Sequence, residues 1–163
     1  MRKVFAVGVV AAALATPTAL AVPPDQQPTN NQGAALPAGV ACEFPLTIDV
    51  VFDKQTTRTF FDSAGNPVRI EISGPLVLGF TNADTQVSFP VRLAGKLTFD
   101  LRRETTTVIG TGRTFVALFP SDFPPGPSST ITSGRQVITI DENEAFHLVS
   151  RVGRVMDVCA ALS

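Results

Sequence analysis

The clearest periodic pattern in the chain is an alternation of apolar and polar residues over 42–53. Every second position from Cys42 to Phe52 is apolar, and most positions between them are polar. Because successive side chains of a β-strand point to opposite faces of a sheet, this period of two predicts a half-buried strand.

Similar patterns recur along the rest of the chain, separated by turn sequences such as DSAGNP and TNADT. The further predicted strands are 57–61, 68–73, 76–81, 87–93, 96–102, 105–119, 130–140 and 146–162. No segment has a convincing helical period, and the connections are short. We therefore predict an all-β domain of eight to nine strands in which consecutive strands pair antiparallel.

The N-terminal residues 1–21 have the pattern of a secretory signal peptide. A basic start, Arg2-Lys3, is followed by an apolar run over 4–15 and by the cleavage sequence ALA at 19–21. The apolar run is short for a membrane span. We predict cleavage after Ala21, secretion, and no membrane insertion of the mature chain.

The domain organisation follows from a change in composition after the signal peptide. Residues 22–40 are rich in Pro, Gln, Asn and Ala and have no apolar period, which predicts a flexible leader. Residues 41–163 are predicted to form one β-barrel domain, large enough to bury a core.

The two cysteines, Cys42 and Cys159, lie in the first and the last predicted strand of this domain. In an exported protein an even pair indicates a disulfide, which requires the two Cα atoms to lie within about 7 Å. First and last strands that lie side by side are what closure of an up-and-down barrel requires. We therefore predict that the antiparallel meander closes into a small barrel, with a two-sheet β-sandwich as the alternative.

Charge and composition exclude several classes of function. The net charge is −1, and it becomes −3 without residues 1–21, which argues against nucleic acid as a partner. The single histidine, His147, has no G-x-S-x-G sequence to accompany it, and the acidic turn at 141–144 lacks the layout of a calcium loop. We predict no catalytic residues, no metal site and no cofactor.

The aromatic residues are all phenylalanine, with no Trp or Tyr in the chain. Phenylalanine has no polar group to accompany its ring, so it suits a core or an apolar cavity better than a sugar-binding platform.

Three Gly-Arg pairs lie in the long C-terminal strands, at 112–113, 134–135 and 153–154. Glycine inside a strand often marks a bulge or a bend, and a closing barrel needs such bends. The alternative is that the three arginines converge on an anion or on an inward carboxylate of Asp157, because desolvated guanidinium groups otherwise repel one another.

The loop 120–130 carries four prolines, which stiffen it, and it is too long for a tight hairpin. We expect it either to cover the mouth of the barrel, with Phe123 as a plug, or to be a plain surface loop. The candidate ligand-binding residues are Arg113, Arg135, Arg154, Asp157 and Phe123.

The chain also resembles a group of small secreted β-rich proteins of actinobacteria. The sequences that carry the resemblance are CEFPLTIDV, GPLVLGFTNADT, GTGRTFVALFP, SGR and GRVMDVCAALS. The resemblance covers essentially the whole mature domain and implies secretion and a disulfide. It implies no catalytic residues.

These observations favour an exported, non-enzymatic protein that binds a small apolar or amphiphilic molecule, because a barrel of about eight strands either fills with side chains or holds one small ligand. A structural or interaction protein of the cell envelope is the first alternative. An enzyme similar to the cyclase and isomerase barrels is the second, by analogy of fold alone. That alternative requires an inward Asp157 beside an arginine.

Overall fold

The structure is a computed structural model that describes residues 23–163, and the predicted signal peptide lies outside this range. Within this range the fold is all-β, with ten strands and one short helix. In chain order the elements are β1 (Asp25–Pro28), β2 (Ala34–Leu36), β3 (Leu46–Asp53), β4 (Thr56–Phe61), β5 (Pro67–Ser73), β6 (Leu76–Asn82), β7 (Ser88–Asp100), β8 (Thr106–Leu118), β9 (Ser128–Ile140), β10 (Phe146–Asp157) and α1 (Val158–Ala161).

The strands form an antiparallel meander in which several short strands continue one another. Strand β7 pairs with β6 along its first half and with β5 along its second half. Strands β3 and β4 pair in the same way with β6 and β5, and β2 and β1 pair with β3 and β4. The short strands therefore form two arms. Strands β6, β3 and β2 extend from the first half of β7, and strands β5, β4 and β1 extend from its second half.

The predicted closure into a barrel is wrong. Within residues 23–163, β10 pairs only with β9, while β1 and β2 form the other end of the strand order, so the sheet is open. Strands β7 and β8 separate beyond the pair Ala94–Arg113, after which β7 pairs with β6 and β8 pairs with β9. The separated halves pack face to face and bury the core without closing the sheet.

A row of four glycines crosses the sheet where the halves separate: Gly95, Gly112, Gly134 and Gly153 pair in register on β7 to β10. A Cβ atom on Gly134 would lie 2.1 Å from the carbonyl oxygen of Val152. Gly112 has a φ of +82°, which L-residues with side chains seldom adopt. The row brings neighbouring backbones closer than a side chain permits; sequence predicted bends at Gly112, Gly134 and Gly153 but not at Gly95.

Two apolar clusters form the core. The first lies between β3, β6 and the first half of β7 on one side and β9 and the C-terminal residues on the other; its members include Leu46, Leu78, Phe80, Ile131, Val158 and Leu162. The second cluster lies on one face of β8 and β9 and packs against the start of β10; its buried members are Val108, Val116, Leu118 and Ile138. Even-numbered residues of β8 therefore contact the second cluster, and Phe115 and Ala117 contact the first.

The predicted disulfide is confirmed. Cys42 and Cys159 are bonded, with their Cα atoms 5.6 Å apart and 117 residues between them in sequence number. The bond joins the N-terminal end of the domain, just before β3, to α1. Beside it, the side-chain amide of Asn82 donates to the carbonyl oxygen of Leu162 at 3.1 Å. The last predicted strand therefore ends at Asp157 rather than continuing to 162, because the Asp157 side chain caps a helical turn.

The segment 22–40, for which sequence predicts a flexible leader, contains the two short strands β1 and β2. Residues 25–28 pair with β4 and residues 34–36 pair with β3, so the leader forms the edge of the sheet. Its strand at 25–28 is fully exposed, which explains why no apolar period marks it. Main-chain hydrogen bonds hold an edge strand whatever its side chains are.

Candidate functional site: an apolar cleft beside Arg113

The most suitable place for a ligand is a cleft of about 190 Å³ where β7 and β8 separate. Its wall is mainly aliphatic and aromatic, formed by Ile72, Leu76, Leu78, Leu93, Leu97 and Phe115. The remaining lining residues are Asn31, Gln55, Gly95, Arg113 and Thr114. The cleft therefore combines an apolar interior with a few polar groups, as small-molecule sites usually do.

Arg113 is the one charged residue in the described wall of this cleft. It follows Gly112 directly and lies on the same face of β8 as Phe115. Its Nε atom is buried and has no hydrogen-bond partner within residues 23–163, and no carboxylate of that range lies within 4 Å of its guanidinium group. Because a buried donor without a partner costs free energy, an acceptor supplied by a ligand would be favourable here.

Two amide side chains form the polar rim of the cleft. The Nδ2 atom of Asn31 donates to Oε1 of Gln55 and to Oδ2 of Asp53, both at 2.8 Å. Partial burial opposes ionisation of Asp53, but hydrogen bonds from the Gln55 backbone and from Asn31 outweigh it and lower the pKa of Asp53. Asn31 belongs to the predicted leader, so sequence reasoning missed this rim. Only the pairing of the leader brings Asn31 to the cleft.

A buried hydrogen-bond network lies behind the arginine. Gln136 donates to Thr114 Oγ1 at 3.0 Å, and Thr132 donates to Gln136 Oε1 at 3.1 Å. All three residues are buried. Because these side chains satisfy one another, they fix β8 and β9 around the glycine row and leave Arg113 as the polar group of β8 that lacks a partner.

The structure does not bring the three candidate arginines together. Ser133 on β9 pairs with Arg113 on β8 and with Arg154 on β10. Arg135, also on β9, pairs with Thr111 on β8 and with Val152 on β10. The three arginines thus share one face of the sheet. The half-sheet that contains Leu93 covers this face at Arg113, whereas Arg135 and Arg154 are exposed.

Asp157 and Phe123 also lie away from the cleft lining. Asp157 is exposed, and its Oδ1 atom accepts from the backbone N–H of Ala160 at 3.0 Å. Phe123 is 56% exposed and stacks on His147 with ring centroids 4.6 Å apart. The proline-rich loop thus docks on β10, where Phe123 exchanges backbone hydrogen bonds with Phe146 and Leu148.

His147 has a second partner in the acidic turn. Its Nε2 atom lies 2.8 Å from Oδ2 of Asp141. This side-chain hydrogen bond is the largest of the interactions that lower the pKa of Asp141. The ring thus links the turn at 141–144 to the loop at 120–130, so its contacts are structural.

Two further cavities share the wall residue Phe115. One, of about 120 Å³, is lined almost entirely by apolar residues, among them Leu97, Val108 and Ile138. The other, of about 320 Å³, is larger than the Arg113 cleft, but its buried carboxylate, Asp122, already accepts from the backbone N–H groups of Phe119 and Phe146. We therefore favour the cleft at Arg113, whose polar group lacks a partner.

Arg151 is a partly buried arginine that sequence reasoning did not select. Its Nε and Nη2 atoms are buried without a partner in the described part of the chain, and burial lowers its pKa. A register shift between Leu148 and Ser150 places Arg151 on the same face of the sheet as Gln136, with which it pairs. No sequence signal marks this bulge, and Arg151 is not a lining residue of the three cavities.

Comparisons with protein-family models, with curated proteins and with solved structures give no match. The resemblance to secreted actinobacterial proteins therefore stays a prediction. In residues 23–163 no group of three or more His, Cys, Asp or Glu side chains is placed to hold a metal ion. No helix in that range is long and apolar enough to cross a membrane.

Proposed function

We propose that this protein is an exported, non-enzymatic binding protein that takes one small apolar or amphiphilic molecule into the cleft at Arg113. The observation that carries the proposal is an unfilled cavity with an apolar wall and one guanidinium group that lacks a partner. The disulfide supports export, because such bonds persist in oxidising compartments.

The physical basis is the apolar wall of the cleft, because moving that surface and the alkyl chain of a ligand out of water is favourable. Apolar cavities of about 150 Å³ bind molecules of the size of benzene, and the cleft here is somewhat larger. A ligand that buries about six to eight carbon atoms would recover the contacts that Leu78, Leu93 and Phe115 lack.

The proposal is tested by calorimetric titration of the purified protein with 1-octanol and with octanoate. Ile72→Phe adds bulk at the half-buried wall of the cleft, so we expect it to abolish binding of both probes. Ile109→Phe is the matched control, because Ile109 is also half-buried but points to the opposite side of the sheet from the adjacent cleft residue Leu97.

Retained binding in Ile72→Phe, or no binding of either probe to the unaltered protein, would overturn this proposal. Native mass spectrometry of the protein from its own culture medium gives an independent test. A co-purifying small molecule supports the proposal.

A second candidate function is an interaction protein of the cell envelope that docks a partner along β10. The observation in its favour is that β10 has 12 residues and, beyond the contacts of Phe123 with Phe146 and Leu148, pairs on one side only within the described sheet. Val149, Val152 and Val155 are exposed on this strand, at 61%, 70% and 48%. An edge of this length presents unpaired N–H and C=O groups to a further strand.

The cyclase-like alternative has no supporting observation. It requires an inward Asp157 beside an arginine, and the Asp157 carboxylate is exposed and caps α1 instead.

A further inference from the structure

We infer that the ligand of the cleft is a medium-chain monocarboxylate whose carboxylate binds Arg113 and whose alkyl chain ends at Phe115. This inference rests on the proposed function and adds the chemical class and the length of the ligand. Two features carry it, the position of the unpartnered guanidinium group and the aromatic wall between two cavities.

The charge of the cleft selects an anion. Arg113 contributes a permanent positive charge, and its buried Nε–H has no acceptor in residues 23–163. Arginine presents its N–H groups in a planar fork that matches a carboxylate, and such charge-assisted hydrogen bonds are stronger than neutral ones. A neutral alcohol would satisfy the buried N–H without compensating the charge.

The surroundings favour a single negative charge over a phosphate dianion. The only cation in the described wall is Arg113, and Asp53 lies behind the rim amide of Asn31, to which it is hydrogen-bonded. The low pKa of Asp53 means that its carboxylate is ionised at neutral pH. A second charge on the ligand would therefore meet repulsion rather than a second partner.

The length of the chain follows from the walls. The cleft of about 190 Å³ holds about six to eight carbon atoms, judged from the size of apolar cavities that bind benzene. Beyond Phe115 lies the apolar cavity of about 120 Å³ that shares Leu97 and Phe115 with the cleft. The Phe115 ring packs on Phe80, with ring centroids 5.1 Å apart, and lines both cavities, so we take it as the wall between them.

The test compares octanoate, 1-octanol and dodecanoate by calorimetric titration. For the unaltered protein we expect octanoate to bind roughly tenfold to hundredfold more tightly than 1-octanol, and Arg113→Gln to remove most of that difference. Arg135→Gln is the matched control, since Arg135 lies on the same face of the neighbouring strand but is exposed, and it should leave binding unchanged.

The wall is tested with Phe115→Leu, which shortens the side chain but keeps an apolar residue in the core. The unaltered protein should gain nothing from the four extra carbons of dodecanoate, whereas this variant should bind dodecanoate at least roughly tenfold more tightly than the unaltered protein does. Circular dichroism shows whether the variant is folded. If it is not, Phe115→Met, which is closer in volume, takes its place.

The outcomes separate the two proposals. Equal binding of octanoate and 1-octanol, unaffected by Arg113→Gln, overturns the carboxylate assignment but leaves the binding function in place. Tighter binding of dodecanoate than octanoate to the unaltered protein overturns the role of Phe115. Failure of all three probes to bind overturns the binding function itself.

Discussion

At the scale of single residues, Arg113 and Arg135 show how burial decides the role of identical side chains. Both follow a glycine on adjacent strands and both lie on the same face of the sheet. Arg113 is partly covered by the half-sheet of β6 and β7, while Arg135 is exposed to solvent. An exposed guanidinium group needs no partner because water solvates it, whereas the buried Nε of Arg113 does.

Gly134 offers a direct test of the glycine row. Gly134→Ala places a Cβ atom 2.1 Å from the carbonyl oxygen of Val152, a contact that the backbone must move to relieve. We expect a loss of about 2–4 kcal/mol in the free energy of unfolding, measured by urea denaturation.

Gly79→Ala is the control for this experiment. Gly79 also lies inside a strand, but the nearest atom to its added Cβ is Val51 Cγ2 at 3.4 Å, an ordinary contact. We expect a change of less than about 1 kcal/mol there. Similar losses at the two positions would show that the row is not a line of close backbone approach.

At the scale of elements, β10 is the long edge strand of the described sheet and the place where a further strand could pair. Strand β10 carries three exposed valines and the exposed Arg154, while Arg151 is partly buried on the side of Gln136, and no acidic residue lies between Phe146 and Met156. Repulsion between arginines opposes pairing of two such edges at low salt, and salt screens it. The edge therefore favours strand addition when charge is screened or when an acidic partner is present.

Val152→Lys should reduce association at this edge, because Val152 is the most exposed of these valines and lysine is typical of protected edges. We expect sedimentation velocity at high ionic strength to show concentration-dependent association of the unaltered protein and little of it in the variant. Val87→Lys, at an exposed valine in the turn before β7, is the control. Identical sedimentation of all three proteins would show that β10 is already protected.

At the scale of the whole molecule, the disulfide connects the N-terminal end of the domain to the C-terminal helix α1. The closed loop is long, with a sequence separation of 117, so the bond lowers the entropy of the unfolded chain by more than a short loop would. It is anchored among buried residues, where Cys42 packs with Ala41, Val158 and Leu162.

Replacing both cysteines by serine should lower the free energy of unfolding by about 4–5 kcal/mol. Chemical denaturation of the variant and of the unaltered protein measures this loss. Binding of octanoate at low denaturant should persist, because neither cysteine lines the cleft. Loss of binding in a variant that is still folded would instead show that the disulfide holds the cleft open.

Local patterns in the sequence were sufficient for most of β3 to β10, although the predicted strands 87–93 and 96–102 are the single strand β7, and for the disulfide. The period-two alternation at 42–53 became β3 over Leu46–Asp53, and the Gly-Arg pairs became points where four strands approach closely. The cysteine pair, in a chain for which sequence predicts a signal peptide, became the disulfide. These features depend on neighbouring residues and on simple stereochemistry, which a sequence displays directly.

Only the tertiary structure decided whether the sheet closes, which arginine is covered and what forms the rim of the cleft. The sheet stays open because β7 and β8 separate beyond the pair Ala94–Arg113. The same separation lets the half-sheet of β6 and β7 cover Arg113. The rim depends on a leader with no apolar period, held by main-chain pairing. Such outcomes arise from contacts between residues distant in sequence, so alternation along one strand cannot specify them.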